Sequence, residues 1–143
     1  MDAIKYTFQI EKGDFVGAGE ASSDIKKILR QVGAETSLIR RVAIATYEAE
    51  MNLVIHSDGG TISVLIDPKC VMVLVKDNGP GIENIDLAMK EGYSTATDRI
   101  REMGFGAGMG LPNMKKCSDE FSIESIVGEG TTIMMNMCVK DGE

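Results

Sequence analysis

The stretch that organises this sequence opens with DNGPGI at 77–82 and closes with GFGAGMGL at 104–111. Between them lies a polar, hydroxyl-rich segment, STATDR at 94–99. Glycine-rich loops are common, and a single one says little. Two such turns around a polar segment indicate a nucleotide held beneath a movable flap, with the rest of the chain as its platform.

The first turn follows an apolar strand, VMVLV at 71–75, which brings Asp77 to the end of that strand. The dipeptides NG and PG that come next favour a positive or preset φ. Because glycine has no Cβ, such a turn lets the backbone approach a flat ligand closely. We therefore predict that the Asp77 carboxylate points into a binding pocket as a hydrogen-bond acceptor.

The second turn has glycine at every second position from Gly104 to Gly110 and leads directly into a predicted helix over 111–119. Exposed backbone N–H groups at a helix start form an anion site, most often for phosphate. The sequence contains no GxxxxGK[ST] run, no complete GxGxxG fingerprint and no HRD or DFG motif. A P-loop, a Rossmann site and a eukaryotic-type kinase are therefore excluded.

Length, composition and charge limit the class of protein. At 143 residues, with 43% hydrophobic and 26% charged residues, the sequence fits one ordinary globular domain. The net charge of −7 argues against nucleic acid and anionic membranes as partners. No apolar run approaches transmembrane length, and no secretory N-terminus is visible. Cys70, Cys117 and Cys138 lack zinc-ligand spacing and are odd in number, so we expect a cytoplasmic protein with reduced cysteines.

The N-terminal part is predicted to contain two strands and a helix. Alternating apolar residues predict a strand over 3–11, and a second short strand is expected around 14–16. Ser22 and Ser23 are predicted to cap a helix that Gly33 ends.

A long helix is predicted over 35–57. One apolar stripe runs along it at helical spacing, formed by Leu38, Val42, Ala45, Ala49 and Leu53. Glu48 and Asn52 lie at the edge of that stripe, where a core-facing helix would border a pocket. An isolated ExxxN usually belongs to a solvated helix face, but asparagine is a poor helix former, so its presence is informative. His56 either continues this line as a ligand candidate or caps the helix end, where the dipole favours its cation.

The remaining segments predict two hairpins and a helix. The hairpins consist of strands 61–67 and 70–77 and of strands 120–126 and 131–140. A short helix is expected over 83–90. Together these elements predict an α+β fold, a two-layer sandwich in which a mixed, mostly antiparallel sheet carries helices on one face.

The order of these motifs resembles one known superfamily. The motifs are EAEMN at 48–52, DNGPGI at 77–82, GAGMGL at 106–111 and GEGTT at 128–132. They resemble those of the GHKL ATP-binding proteins, which have the Bergerat fold and include gyrase B, MutL and the catalytic domains of histidine kinases. Within that group the sequence is similar, over about residues 35–140, to the anti-sigma-factor and stressosome switch serine/threonine kinases.

The resemblance implies roles for particular residues. Asn52 corresponds to the residue that holds Mg²⁺ on the ATP phosphates, and Glu48 corresponds to the proposed general base. Asp77 corresponds to the carboxylate that recognises the adenine amino group, assisted by Thr131 or Thr132. The other implied nucleotide-binding positions are Gly79 and Gly81 in the adenine-side turn and Gly106, Gly108, Met109, Gly110 and Leu111 in the phosphate lid.

The resemblance also implies a function. It predicts a Mg²⁺- and ATP-dependent serine/threonine protein kinase whose partner is a small STAS-domain protein of the anti-anti-sigma type or a sigma factor, with homodimer formation left open. The alternative is an ATP-dependent binding module that sequesters or activates a partner with little transfer activity. Glu48 favours the kinase, because binding alone needs only Asp77, the glycines and Asn52. Since the sole histidine lies in the ATP-site helix, an autophosphorylating histidine kinase is not expected.

Overall fold

The computed structural model of the protein describes residues 4–14, 16–56, 58–67, 69–79, 89 and 110–139. In chain order its elements are β1 (Ile4–Ile10), α1 (Glu20–Gln31), α2 (Thr36–His56), β2 (Gly60–Ile66), β3 (Cys70–Asp77), α3 (Gly110–Cys117), β4 (Glu120–Ile126) and β5 (Gly130–Cys138). Apart from Met89, the predicted helix over 83–90 and the flap over 92–109 lie outside the described residues. Within the described ranges, no helix is both long enough and apolar enough to cross a membrane.

The five strands form one sheet in the order β1-β2-β3-β5-β4. All four pairings between them are antiparallel. Both predicted hairpins, β2–β3 and β4–β5, are confirmed. The predicted sheet was mixed and mostly antiparallel, whereas all pairs among the described strands are antiparallel.

Helices cover one face of this sheet. Buried residues alternate with partly exposed ones along β2, β3 and β5, so each strand has one face toward the core. The predicted apolar stripe of α2 is buried against that face together with α3 and the apolar side of α1. The α+β class and the two-layer arrangement are therefore confirmed, and the long helix begins at Thr36, one residue later than expected.

The start of α1 differs from its prediction. The helix begins at Glu20, and its N-cap Gly19 has a φ of 98° and makes no side-chain cap bond. Glu50 of α2, which is only 1% exposed, accepts hydrogen bonds from the backbone N–H groups of Gly19, Ala21 and Ser22 at 2.9, 3.2 and 3.1 Å. The prediction that Ser22 and Ser23 cap this helix is wrong, because a carboxylate from the neighbouring helix satisfies its first donors.

The described residues around 14–16 lie outside any strand, so the short strand predicted there is wrong. Residues 16–19 are turn residues, and Asp14 Oδ1 accepts a hydrogen bond from the Gly17 N–H at 2.9 Å. The short polar side chain of Asp14 binds the backbone locally, which favours a turn over sheet pairing. Phe15 itself lies outside the described residues.

Two of the three cysteines are paired. Cys70 and Cys138 are directly opposite each other in the β3–β5 register and are joined by a disulfide. The expectation of reduced cysteines is therefore wrong for these two, while Cys117 remains a free thiol. The pair is 68 residues apart in sequence, and only the strand register brings it together.

Candidate functional site

Asp77 lies where β3 ends, on the helix-covered face of the sheet. Its Oδ1 accepts hydrogen bonds from the backbone N–H groups of Thr131 at 2.8 Å and Gly79 at 3.0 Å. The carboxylate is thereby tied both to β5 and to the turn that follows β3. Because both bonds use Oδ1, Oδ2 is the oxygen that this arrangement offers to a ligand.

Two glycines allow the neighbouring strands to close around Asp77. A Cβ at Gly130 would lie 2.3 Å from the Asp77 carbonyl oxygen and 3.1 Å from its Oδ1. A Cβ at Gly60 would lie 2.0 Å from the carbonyl oxygen of Lys76. Any residue with a Cβ at these two positions would force the strand ends apart, so the close packing around Asp77 requires glycine there. Gly130 was not predicted to belong to the site, although its place directly before Thr131 was a usable signal.

The structure distinguishes between the two threonines that were left open. Thr131 is 6% exposed and lies on the same face of the sheet as Asp77, where its Oγ1 shares a 2.8 Å hydrogen bond with Ser125 Oγ. Thr132 pairs with Lys76 and belongs to the opposite face. Thr131 is therefore the threonine beside Asp77.

Glu48 and Asn52 meet the start of α3. A Cβ at Gly110 would lie 3.1 Å from Asn52 Oδ1 and 3.3 Å from Glu48 Oε2. The helix start approaches both side chains this closely because residue 110 is glycine. Gly110, which is distant in sequence from Glu48 and Asn52, is thus brought to the two side chains with which it was predicted to share a site.

Glu48 is half-buried, and its carboxyl bonds to Asn113, which was not among the predicted site residues. Burial raises the pKa of Glu48 above its ordinary value, and a hydrogen bond with the Asn113 side chain partly opposes that rise by favouring the charged form. A carboxylate whose pKa is raised is a better proton acceptor near neutral pH. The signal for Asn113 was a polar residue in the first turn of the helix that follows the glycine-rich stretch.

The two groups of site residues lie at the same end of the sheet. The backbone N–H of Gly13, just beyond β1, donates to the carbonyl oxygen of Val54 in α2 at 3.0 Å. β1 ends at Ile10, which pairs with Gly60, and Gly60 pairs with Asp77. The C-terminal part of α2, which carries Asn52, is therefore close to the strand end that carries Asp77.

The remaining predicted residues are placed as follows. His56 is the last residue of α2. Leu111 is 8% exposed and belongs to the hydrophobic core, so its backbone is the part that can reach a ligand. Gly81, Gly106, Gly108 and Met109 lie outside the described residues.

The donor set fits Mg²⁺ that is bound to a nucleotide. In the described part of the chain, no group of three or more His, Cys, Asp or Glu side chains gathers to hold a metal ion. The Asn52 amide oxygen is a hard ligand, and Mg²⁺ commonly takes one or two protein ligands together with phosphate oxygens and water. Asn52 is therefore the described residue best suited to hold the ion.

An open groove lies between α1 and α2 on another side of Glu48. It has a volume of about 380 Å³ and is lined by Ser22, Ser23, Lys26, Ala43, Ile44, Tyr47 and Glu48. Two of the residues that line it are large, apolar and exposed, Ile44 at 42% and Tyr47 at 40%. The Glu48 carboxyl is therefore bordered by the α3 start and by this open groove.

Sequence comparisons give the site a family context. Residues 38–141 match the model of histidine kinase-, DNA gyrase B- and HSP90-like ATPases. The serine/threonine-protein kinase RsbT of Bacillus subtilis (strain 168) is 32% identical over 124 residues, which cover 84% of this chain and 85% of that protein. The anti-sigma F factor of Clostridium acetobutylicum is 37% identical over 99 residues, 66% of each chain.

Solved structures share the fold. The crystal structure of the RsbU and RsbW domains of a Mycobacterium tuberculosis protein has a TM-score of 0.64 at 17% identity; the match covers 94% of this chain and 32% of that longer one. The mycobacterial sensor histidine kinase MprB has a TM-score of 0.52 at 15% identity, covering 94% of this chain and 97% of that one. At such low identity these likenesses concern the fold alone.

Proposed function

Since the chain belongs to the histidine kinase-, DNA gyrase B- and HSP90-like ATPase family, we propose that it is a Mg²⁺-ATP-dependent serine/threonine protein kinase of the anti-sigma regulatory type. One observation carries the proposal: the half-buried Glu48 carboxyl, with its raised pKa, lies beside Asn52 and Gly110 and also borders an open groove. The relationship to RsbT, a serine/threonine-protein kinase, supports the same class of activity.

In the proposed site the nucleotide is the substrate that donates a phosphoryl group. Asp77, held by Gly79 and Thr131, accepts a hydrogen bond from the adenine amino group. Asn52 binds Mg²⁺, which neutralises charge on the phosphates. The backbone N–H groups at the start of α3 bind phosphate oxygens. The proposal also assigns nucleotide contacts to His56, Gly81, Gly106, Gly108, Met109, Gly110 and Leu111.

The acceptor is proposed to be a serine or threonine hydroxyl of a partner protein that docks in the groove. Glu48 takes the hydroxyl proton as the oxygen bonds to the γ-phosphorus and the bond to the β-phosphate oxygen breaks, which releases ADP. The partner is proposed to be a small STAS-domain protein or a sigma factor. The relationship to anti-sigma F factors supports that partner class.

A second function is an ATP-dependent binding module that sequesters a regulatory partner without transferring phosphate. The similarity to proteins named anti-sigma factors favours it. Both functions use Asp77 and Asn52, whereas only the kinase needs Glu48 as a proton acceptor. The two functions can therefore be separated at that residue.

The deciding experiment compares Glu48→Ala with Asn52→Ala. Nucleotide affinity is measured by calorimetry, and phosphate transfer is measured with labelled ATP and purified STAS-domain and sigma-factor partners from the same genome. Asn52→Ala should weaken Mg²⁺-dependent ATP binding and transfer together. Glu48→Ala should leave ATP affinity nearly intact and lower transfer by roughly 10²- to 10⁴-fold, the usual loss for a general base.

The control is Glu124→Ala, which removes an exposed carboxylate on the opposite face of the sheet. It should bind ATP and transfer phosphate as the wild type does. Transfer by Glu48→Ala at the wild-type rate would remove Glu48 from the mechanism. Absence of transfer in the wild type with every partner, alongside tight partner binding, would favour the binding module.

A further inference from the structure

A row of polar side chains runs from Asp77 across the helix-covered face of the sheet. Asp77 lies on β3, Thr131 on the neighbouring β5, and Ser125 on β4, the next strand along. The Thr131 backbone N–H donates to Asp77 Oδ1 at 2.8 Å, and Ser125 is directly opposite Thr131 in the β4–β5 register. The Ser125 hydroxyl is therefore linked, through one intervening residue, to the carboxylate that is proposed to recognise adenine.

The direction of the hydrogen bonds in this row follows from the number of protons. Ser125 Oγ lies 3.3 Å from the Gly130 carbonyl oxygen and 2.8 Å from Thr131 Oγ1. A hydroxyl has one proton to donate, and a carbonyl oxygen only accepts. The bond to Gly130 therefore uses the Ser125 proton, and in the bond between the two hydroxyls Thr131 is the donor.

This direction commits both donors of Thr131 to the protein itself. Its hydroxyl proton goes to Ser125, and its backbone N–H goes to Asp77 Oδ1. Thr131 is 6% exposed, and a β-branched side chain in a strand has few χ1 rotamers, so the hydroxyl is held in this position. Toward a bound molecule Thr131 Oγ1 can therefore only accept, as the Asp77 carboxylate does.

We propose that Ser125 determines which base the nucleotide site takes, because it accepts the Thr131 proton and so leaves only acceptors beside Asp77. A base with an exocyclic amino group can donate to both acceptors. A base with a carbonyl in the same place would set acceptor against acceptor, which is unfavourable. Ser125 acts through Thr131 and is therefore a positioning residue. The proposal rests on the adenine recognition proposed for Asp77 and is independent of phosphoryl transfer.

A second pair of threonine and serine in the sheet supplies a matched comparison. Thr7 and Ser63 are directly opposite each other in the β1–β2 register, and their hydroxyl oxygens are 3.2 Å apart. The pair is exposed and lies on the face of the sheet away from the helices, since Thr7 alternates with the core-packed Phe8. Replacing Ser63 with alanine therefore removes the same chemical group without changing the nucleotide site.

The first test measures the affinities of ATP and inosine triphosphate by calorimetry. Inosine triphosphate has a carbonyl where ATP has its exocyclic amino group, so the wild type should prefer ATP. In Ser125→Ala the Thr131 hydroxyl is free to turn and donate to that carbonyl, and the ratio of the two affinities should fall by about three- to tenfold. Ser125→Thr keeps the hydroxyl and should retain the wild-type ratio, and so should Ser63→Ala.

The second test is a double-mutant cycle with Thr131→Val, which removes the hydroxyl and keeps the branched shape of the side chain. Thr131→Val should also lower the ratio. Adding Ser125→Ala to Thr131→Val should change the ratio no further, because Ser125 acts only through the Thr131 hydroxyl. Circular dichroism reports the folding of each variant.

The outcomes separate this proposal from the recognition by Asp77 on which it rests. If Ser125→Ala binds both nucleotides more weakly but in the wild-type ratio, the role of Ser125 is purely structural and the proposal is overturned. An equal fall of the ratio with and without the Thr131 hydroxyl would overturn it as well. Equal binding of ATP and inosine triphosphate by the wild type would instead contradict the recognition assigned to Asp77, and with it the premise of this proposal.

Discussion

Three carboxylates show how one chemical group acquires different roles from its surroundings. Glu50 is fully buried and accepts three backbone N–H bonds, so it holds one helix against another. Asp77 accepts two backbone N–H bonds with one oxygen, Oδ1, and we propose that its other oxygen accepts a hydrogen bond from the nucleotide. Glu48 is half-buried and hydrogen-bonded to the Asn113 side chain, and burial raises its pKa. These surroundings suit a structural acceptor, a recognition acceptor and a proton acceptor respectively.

Replacing Asp77 with asparagine tests recognition of the adenine base. In Asp77→Asn the amide oxygen can keep both backbone hydrogen bonds, but the amide nitrogen then faces the adenine amino group, donor against donor. ATP affinity should fall by roughly 30- to 150-fold, equivalent to about 2–3 kcal/mol. In the wild type GTP should bind more weakly than ATP, because guanine presents a carbonyl at that position. Both comparisons are made by calorimetry.

Asp67→Asn is the matched control, since Asp67 directly follows a strand and its Oδ1 also accepts two backbone N–H bonds, each of 2.8 Å. It lies at the other end of the β2–β3 hairpin. Its ATP affinity should equal that of the wild type. Equal affinities for ATP and GTP in the wild type would contradict the assignment of Asp77.

Replacing Glu48 with glutamine tests whether the pKa of Glu48 is raised, because a raised pKa makes the free energy of unfolding depend on pH. Because the pKa is raised in the folded protein, the folded state binds the proton more tightly than the unfolded chain does. The favourable contribution of Glu48 is therefore complete below its unfolded pKa and is lost as the pH rises through its folded pKa. Glu48→Gln has no charge to desolvate and retains an acceptor for Asn113.

Denaturant unfolding between about pH 4 and pH 8 measures this difference. Relative to the wild type, Glu48→Gln should gain stability as the pH rises across that interval. Glu124→Gln, at an exposed position, should run parallel to the wild type at every pH. A constant difference between Glu48→Gln and the wild type would mean that burial does not perturb this carboxyl.

At the scale of elements, the site depends on how closely α3 approaches α2. The start of α3 lies against Asn52 and Glu48, and the Asn113 side chain in its first turn bonds to Glu48. The helix start therefore orients both side chains and contributes its own backbone donors. Gly110 is the residue that permits this approach.

Gly110→Ala should weaken ATP binding without lowering the stability of the fold. Alanine is the better helix former, so the free energy of unfolding should stay the same or rise slightly. The added Cβ would lie 3.1 Å from Asn52 Oδ1, so the Asn52 amide must move, and ATP affinity should fall by about tenfold. Calorimetry and denaturant unfolding give the two quantities.

Gly128→Ala is the control, because it should lower stability without changing ATP affinity. Gly128 has a φ of 85° and no heavy atom within 4 Å of an added Cβ, so the substitution strains the backbone but contacts nothing. It should cost about 1–2 kcal/mol of stability and leave ATP affinity unchanged. If Gly110→Ala binds ATP like the wild type, the contact between α3 and Asn52 does not matter for binding.

At the scale of the whole molecule, Arg41 joins α2 to the ends of two other elements. Its Nε donates to the Cys117 carbonyl oxygen at 3.1 Å, and its Nη1 donates to the Cys138 carbonyl oxygen at 3.0 Å. Its Nη2 lies 2.9 Å from Asp119 Oδ2, which also accepts a hydrogen bond from the Cys138 N–H at 2.8 Å. One guanidinium thus links the helix layer to the sheet through α3 and β5.

Arg41→Lys should destabilise the molecule although it keeps the charge. An ammonium group has a single donor centre and cannot reach three acceptors that a planar guanidinium spans, so about 2–4 kcal/mol of stability should be lost. Arg40→Lys, at the exposed neighbouring position, should change stability by less than about 0.5 kcal/mol. Denaturant unfolding compares them, and equal stabilities would show that the Arg41 contacts contribute little.

Much of the fold and part of the site could be predicted because their signals are local. The apolar period of α2, the alternation along the strands and the glycine turn at Asp77 depend on residues within a few positions of one another. For the same reason the pair Glu48 and Asn52 could be recognised as neighbours on one helix face.

The tertiary structure decided every feature that depends on contact between distant segments. The start of α1 is capped by Glu50 and not by its own serines. Thr131, and not Thr132, lies beside Asp77, and the Asn113 side chain bonds to Glu48. The register between β3 and β5 sets Cys70 opposite Cys138. Strand register and helix packing determine such contacts, and a one-residue shift in register would reverse the face of every side chain in a strand. Sequence periodicity reveals which face a residue occupies, but only the packed chain determines what that face meets.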